Sequence, residues 1–398
     1  MIDVREALNS VLSCRFHSKS VTVPLEESLS RILAEDVFAD MDQPPFHRVM
    51  MDGIALNKQS LANTRKLKIL STVSAGSEKV ELPKGEVCFE IMTGAVLPLN
   101  ADLVIRYEDL KIENGFAEVM VDPKSLSSNY HPQGSDYLKG DIVLLNGAMI
   151  KSTTTAILAS VGCTHVKVFS NPKVAILSTG DELVEIGVTP LPHQIRWSNG
   201  ISLKQELVAH GFYDVSLYKV NDNENEMKKL MLQLLESKDV LLLTGGVSAG
   251  KYDFVPKLLK ECKVNEIFHK VAQRPGKPLW FGKTDSERVV FGLPGNPVSC
   301  LVSLRKYVIP FLQSSVPTQR SVSKAFLGVD VKFNSSLTYY CPVKVKNEEG
   351  RVTAYPLVGN GSGDFFQLRD SDGFIELRPE DAPFVPGTIG ELFLWGQS

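Results

Sequence analysis

Residues 239–261 read DVLLLTGGVSAGKYDFVPKLLKE, an apolar run that passes into a glycine- and serine-rich loop and then into an apolar-periodic segment. Residues 239–243 do not alternate apolar with polar, which is the pattern of a strand buried on both faces. Thr244, Gly245, Gly246, Ser248 and Gly250 follow. Their glycines let the backbone turn sharply and bring N–H groups close to a ligand. Asp253 stands where the chain enters Phe254, Val255, Leu258 and Leu259, whose spacing predicts a helix with its N-terminus at the loop. The stretch predicts a phosphate cradle, with Asp253 placed to hold a cation. Its spacing is neither G-x-x-x-x-G-K-[ST] nor G-x-G-x-x-G, which sets it apart from P-loop NTPases and simple dinucleotide folds. A Gly-rich turn that binds nothing would read the same way in isolation.

Outward from this stretch, strands and helices alternate from residue 173 to about 310: KVAILSTGDEL, IRWSNGISLKQELVAHG, YDVSLYKV and NEMKKLMLQLLES. That alternation predicts a parallel, doubly wound sheet whose ligands lie at the C-terminal ends of its strands. Three loops converge there: Ser178-Thr179-Gly180-Asp181-Glu182, Ser198-Asn199-Gly200, and 244–253. Arg274 and Lys277 on the proline-stiffened loop 271–278 add two cations suited to an anion. Pro294, Gly295, Asn296 and Pro297 form a pre-shaped turn before a further helix.

Apolar periodicity predicts helices over 3–16, 25–34 and 152–162. Met51-Asp52-Gly53 reads as a tight turn that presents a carboxylate before the strand 54–56. Strands over 67–121 predict a small β-domain, in which Thr93 offers a hydroxyl and an amide, and Glu108 and Asp109 offer acid groups. Beyond residue 310 a linker leads to an all-β module whose loop 359–364 carries Ser362.

At 398 residues the chain calls for several domains. A net charge of −3 gives no broad reason to bind nucleic acid or an anionic membrane. The six cysteines lack metal or disulfide spacing, which fits a reducing cytoplasm. Residues 1–13 are amphipathic and charged, unlike a signal peptide, and no apolar run approaches the ~20 residues of a membrane span. The expectation is a soluble cytoplasmic protein.

Taken in order, MDG at 51–53, IMTGA at 91–95, STGDEL at 178–183, SNG at 198–200, TGGVSAGKYD at 244–253, RPGKP at 274–278 and GLPGNPVS at 292–299 resemble the molybdopterin molybdenumtransferase family, MoeA and the gephyrin E domain. The likeness covers essentially the whole chain. It implies an α/β multidomain fold: a helical, swivel-like domain (1–43 and 137–168), an inserted β-domain (44–136), a molybdopterin-binding α/β domain (169–315) and a C-terminal β-barrel (316–398). It also implies a homodimer, and a reaction in which molybdate is delivered to adenylylated molybdopterin and AMP is released with Mg2+. A molybdopterin adenylyltransferase is the implied supplier of substrate.

Carried over by residue, the resemblance gives catalytic roles to Asp52, Asp181, Asp253, Arg274 and Lys277, with Asp52, Asp181 and Asp253 at the cation. Asp52 of the partner subunit would lie over the pyrophosphate. Thr93, Ser178, Thr179, Gly180, Glu182, Ser198, Asn199, Gly245, Gly246, Ser248, Gly250, Pro294, Gly295, Asn296, Pro297 and Ser362 would bind the cofactor.

The chain departs from the family pattern at His47-Arg48-Val49-Met50, at His131-Pro132-Gln133 where an arginine-rich loop is usual, at Tyr107-Glu108, and at Cys341, the position matched to a customary arginine. These departures leave room for a relative that binds the pterin as carrier, scaffold or regulator, or that hydrolyses another nucleotide-linked pyrophosphate.

Overall fold

The computed structural model describes the whole chain except residues 15–17, 247–253, 316–321, 334, 358, 360, 362, 397 and 398. The described residues fall into two compact units: Met1–Thr22, Ser30–Ile32 and Lys167–Ser398 in one, Val23–Leu29 and Leu33–Val166 in the other.

The larger unit is built on a six-stranded sheet in the order Val215–Val220, Val174–Thr179, Val240–Thr244, Val289–Leu293, Trp280–Thr284, Val264–His269. The first four strands are parallel, as the alternating pattern predicts. The last two are antiparallel, so the sheet is mixed rather than all-parallel. The helix Val255–Glu261 leads into the strand Val264–His269, and Lys263 and Lys270, both at positive φ, bracket that strand and turn the chain into and out of it. Val174–Thr179, Val240–Thr244 and Val289–Leu293 are buried along their whole length, because helices cover both faces.

The helix Val4–Ser13 adds Val4, Ala7 and Val11 to the same core, and Asp3 caps it by accepting from the Arg5 N–H at 2.7 Å. The following strands Ser323–Leu327, Thr338–Glu348, Arg351–Pro356, Gly373–Leu377 and Ile389–Leu394 close on themselves, since Thr338–Glu348 pairs with both Arg351–Pro356 and Gly373–Leu377. This is the expected C-terminal barrel. It is joined to the α/β sheet by Gln273–Arg274, which pairs with Thr338–Tyr339.

In the smaller unit a six-stranded sheet runs in the order Leu103–Arg106, Gly53–Leu56, Val87–Ile91, Lys66–Val73, Phe116–Val119, Leu110–Glu113, with an apolar core on each face. The helix expected over 25–34 does not form. Residues Leu25–Glu27 make a single 3-10 turn, and Ser30 at φ 63° breaks any continuation. The helix in the 152–162 stretch is present as Ser152–Ser160.

One buried ionic group ties the α/β core to the barrel. A π-helical turn, Leu304–Val308, aims Lys306 Nζ at Glu376 Oε2 (2.5 Å) and Glu391 Oε2 (3.1 Å), with Arg378 Nε on the other Glu376 oxygen at 2.7 Å. Burial pushes the Glu376 carboxyl up, but Lys306 and Arg378 outweigh it and hold the group below its ordinary value. Lys306→Met leaves buried carboxylate charge short of a partner and is expected to cost about 3 kcal/mol, read as a lower urea midpoint at neutral pH. The deficit should shrink at acidic pH, where Glu376, freed of Lys306, takes up a proton; a pH-independent deficit would contradict the ionic origin.

Candidate functional site

The sheet switches direction at Val174–Thr179, which has Val215–Val220 on one side and Val240–Thr244 on the other. Ligands of such sheets sit beyond the strand ends at this point. Ser178 and Thr244 lie side by side in register, and Thr244 Oγ1 donates to Ser178 Oγ at 2.8 Å. Trp197 Nε1 donates to the same hydroxyl oxygen at 2.8 Å.

Gly245 and Gly246 follow at φ 94° and 65°. A methyl on Gly245 would come within 2.9 Å of the Thr179 carbonyl oxygen, and one on Gly246 within 2.7 Å of Val255 Cγ2. Only glycine fits this turn. Asn199 opens the helix Asn199–Ala209 and its Nδ2 donates to Gly295 O at 2.6 Å, which brings the Pro-Gly-Asn-Pro turn into the group. Asn199 Oδ1 is buried and has no hydrogen-bond partner among the described residues. The structure thus brings together Ser178, Thr179, Gly245, Gly246, Asn199 and Gly295, and leaves Ser198 exposed just before the helix. Pro297 starts the next helix, with Asn296 as its N-cap and Pro294 O accepting from Cys300 Sγ.

The acidic side of this edge is formed by Asp181, Glu182 and Asp222. Asp181 Oδ1 accepts from the Asp222 backbone N–H at 3.0 Å. The Asp222 carboxyl is raised by partial loss of water first and by the negative charge of Asp181 and Glu182 after it. The Glu182 carboxylate lies against Gly180, at φ 145°, where a Cβ would collide with it. Asp222 is absent from the sequence-based list; it sits in the loop after Val215–Val220, and the strand-end rule applied to a third strand would have found it.

Arg274 and Lys277 are exposed and make no hydrogen bond or ion pair to the cradle among the described residues. Arg274 instead lies over the Phe333 ring, which stacks on Tyr339. The base of their loop is rigid: buried Gln273 donates from Nε2 to the carbonyls of Pro275 and Gly276, both at 3.2 Å, and accepts from Tyr307 Oη at 2.5 Å. Ser248, Gly250, Asp253 and Ser362 lie outside the described residues.

In the smaller unit Asp52 and Thr93 meet. Asp52 Oδ1 accepts from the Thr93 N–H at 2.6 Å and from Thr93 Oγ1 at 2.7 Å. These two bonds, the backbone one first, hold this solvent-exposed carboxyl below its usual range. Tyr107 N–H donates to the Asp52 carbonyl, and burial together with Glu90 pushes the Tyr107 phenol up to about 12. Asp109, one of the candidate acids, is paired with Arg106 at 2.7 Å.

The fold defines a doubly wound α/β protein whose strand-end loops gather glycines, hydroxyls and carboxylates, in a chain that also has a separate β-rich unit and a barrel. Comparison with known proteins narrows this. Residues 2–162 match the MoeA N-terminal region (domains I and II), 175–314 a probable molybdopterin binding domain, and 324–394 the MoeA C-terminal region (domain IV). The chain is 37% identical over 401 residues to the molybdopterin molybdenumtransferase of Synechocystis sp., covering 99% of this chain and 100% of that protein. It is 32% identical over 403 residues to the molybdopterin molybdenumtransferase of Staphylococcus epidermidis, covering 99% and 95%. The crystal structure of the molybdopterin biosynthesis MoeA protein from Pyrococcus horikosii superposes with a TM-score of 0.83 at 31% identity, covering 100% of both chains. The chain belongs to the MoeA family of molybdopterin molybdenumtransferases, enzymes of molybdenum cofactor biosynthesis.

Because Asp222 carries repulsion from its acidic neighbours, Asp222→Asn is expected to raise the thermal midpoint of the ligand-free protein by up to a few °C at neutral pH. The sign follows from a raised carboxyl, whose ionised form is unfavourable once pH exceeds its folded value. A variant whose midpoint does not rise would contradict the repulsion at Asp222.

Proposed function

We propose that this chain inserts molybdenum from molybdate into the dithiolene of adenylylated molybdopterin and releases AMP. The observation that carries the reading is the convergence of Ser178, Thr179, Gly245, Gly246, Asn199 and Gly295 at the strand ends beside Asp181 and Asp222. In a member of this family, a glycine turn next to carboxylates suits a phosphate ester bound with a cation. Gly245 and Gly246, with Ser248 and Gly250, bind the phosphate, and Arg274 and Lys277 serve molybdate or developing negative charge.

Among the described residues no three His, Cys, Asp or Glu side chains come together closely enough to hold a metal ion. Mg2+ is commonly held by one or two carboxylates and completed by substrate phosphates and water rather than by an all-protein cage. Asp181, with Asp222 beside it, supplies hard oxygen donors of the right kind, and Asp253, which lies outside the described residues, would add another. Bound there, Mg2+ would neutralise charge on the pyrophosphate. Asp52 acts as an ionised carboxylate, kept so by Thr93.

The reading extends to a cytoplasmic homodimer supplied by a molybdopterin adenylyltransferase. Among the described residues no helix is long and apolar enough to cross a membrane. Exposed Met41, Leu138, Leu145 and Met149 on the smaller unit give a second copy apolar surface to cover.

The deciding experiment measures AMP release from adenylylated molybdopterin in Mg2+, with and without molybdate. Release is expected to depend on molybdate and to fall roughly a hundredfold or more in Asp52→Ala. Tight pterin binding with no AMP under either condition would point to a carrier, and release indifferent to molybdate to another pyrophosphate hydrolase. Thr93→Val removes the hydroxyl that helps keep Asp52 ionised, so the acid limb of the pH–rate profile should move to higher pH. An unmoved limb would take Asp52 out of the titrating step.

A further inference from the structure

Trp197 has no role in the account above, yet three loops meet at its side chain. Its indole N–H donates to Ser178 Oγ at 2.8 Å, the oxygen that also accepts from Thr244. Its backbone N–H donates to Val184 O at 2.9 Å, which closes the excursion from Gly180 back to the sheet edge. The short pairing of Leu183–Val184 with Ile195–Arg196 delivers it there. Its ring packs on Gly200, where an added Cβ would come within 2.8 Å of Nε1 and 3.0 Å of the ring carbons.

Asn199 lies two residues on. One end of its amide is spent on Gly295 O at 2.6 Å, and the other, Oδ1, is buried without a partner among the described residues. A buried amide oxygen in that state is unfavourable until a donor reaches it.

Resting on the function proposed above, we infer that Trp197 is a positioning residue of the cradle: by pinning Ser178 and the first turn of Asn199–Ala209, it holds Asn199 Oδ1 as a fixed acceptor for an N–H or O–H group of the bound ligand. The chemistry that satisfies this oxygen is a hydrogen-bond donor. On adenylylated molybdopterin it comes either from the pterin or from the adenosine half, through the adenine amino group or a ribose hydroxyl. A fixed amide that is left unpaired by a ligand lacking the donor discriminates strongly against that ligand.

The test compares the wild type with Trp197→Phe, which keeps an aromatic ring and removes the donor. Affinities for molybdopterin and for AMP are measured separately by calorimetry, alongside kcat and KM for AMP release. The expected result is a roughly five- to tenfold loss of affinity for one of the two probes, with KM rising more than kcat falls. Loss with molybdopterin assigns the donor to the pterin, and loss with AMP to the adenosine.

Trp280→Phe is the control, because it also removes an indole hydrogen bond, to Glu266 Oε2 at 2.8 Å, from a buried tryptophan. It should lower stability and leave both affinities alone. In a Ser178→Ala background Trp197→Phe should have no further effect, since its action runs through that hydroxyl. Unchanged affinities in Trp197→Phe, equal losses in Trp280→Phe, or additive effects with Ser178→Ala would overturn the inference while leaving the transferase reading intact. Wild-type protein that binds neither probe would overturn both.

Discussion

The hydroxyl-to-hydroxyl bond from Thr244 to Ser178, where two fully buried parallel strands end side by side, is the constraint on which the ligand-binding edge depends. Up to this point Val174–Thr179 and Val240–Thr244 are apolar and enclosed by helices, so neither can slide without exposing core. The first polar side chains then face each other inside the protein. Buried hydroxyls need partners, and they find them in one another and in Trp197. The glycine turn, the acidic loop and the start of the next helix all leave from this locked point, so their mutual geometry is set by the sheet and not by the loops themselves.

The same economy governs charge. In the larger unit Lys306 is held between Glu376 and Glu391, with Arg378 on the remaining Glu376 oxygen. At the strand ends the carboxylates are not met in this way. Asp181 takes one backbone N–H, and Asp222 is raised first by partial loss of water and then by its acidic neighbours. Under the function proposed above, a cation and a phosphate together would relieve this negative charge.

Much of this was legible from residue order. The buried strand, the glycine turn and the helix that follows it are each enforced by local chemistry, and the barrel strands announce themselves by alternation and turn residues. The cradle followed because strand ends in such a sheet gather in one place. Other parts were hidden for identifiable reasons. The stretch 25–34 has the apolar spacing of a helix, but Ser30 adopts a positive φ that periodicity does not report. The face of Val4–Ser13 could be read, whereas the core it joins, with Val271, Val298 and Tyr307, depends on contacts hundreds of residues away. Asp222 and Trp197 sit in ordinary-looking loops, and their importance comes from pairing with Asp181 and Ser178, which no local pattern encodes.

The departures from the family pattern can be weighed by where they fall. Arg48 lies on the short strand Arg48–Val49 that pairs with Tyr130–His131, and His47 directly precedes it, so two divergent stretches are neighbours. Gln133 N–H donates to His47 Nδ1 at 2.9 Å, Arg48 Nη2 approaches His131 Nδ1 at 3.5 Å, and His131 Nε2 meets Asp136 at 2.9 Å. Changes that satisfy one another in this way form one local exchange of partners rather than several independent losses. Val49, in the same stretch, is a core residue and carries no such role. Cys341 is different again. Its side chain is buried in the barrel with Ala325, Val343 and Ile375, and burial pushes its thiol up to about 11. A guanidinium there would lose its water without a carboxylate among those neighbours to replace it. The arginine matched to that position by sequence therefore has no counterpart at Cys341, and the barrel's cysteine is a packing residue that says nothing against catalysis.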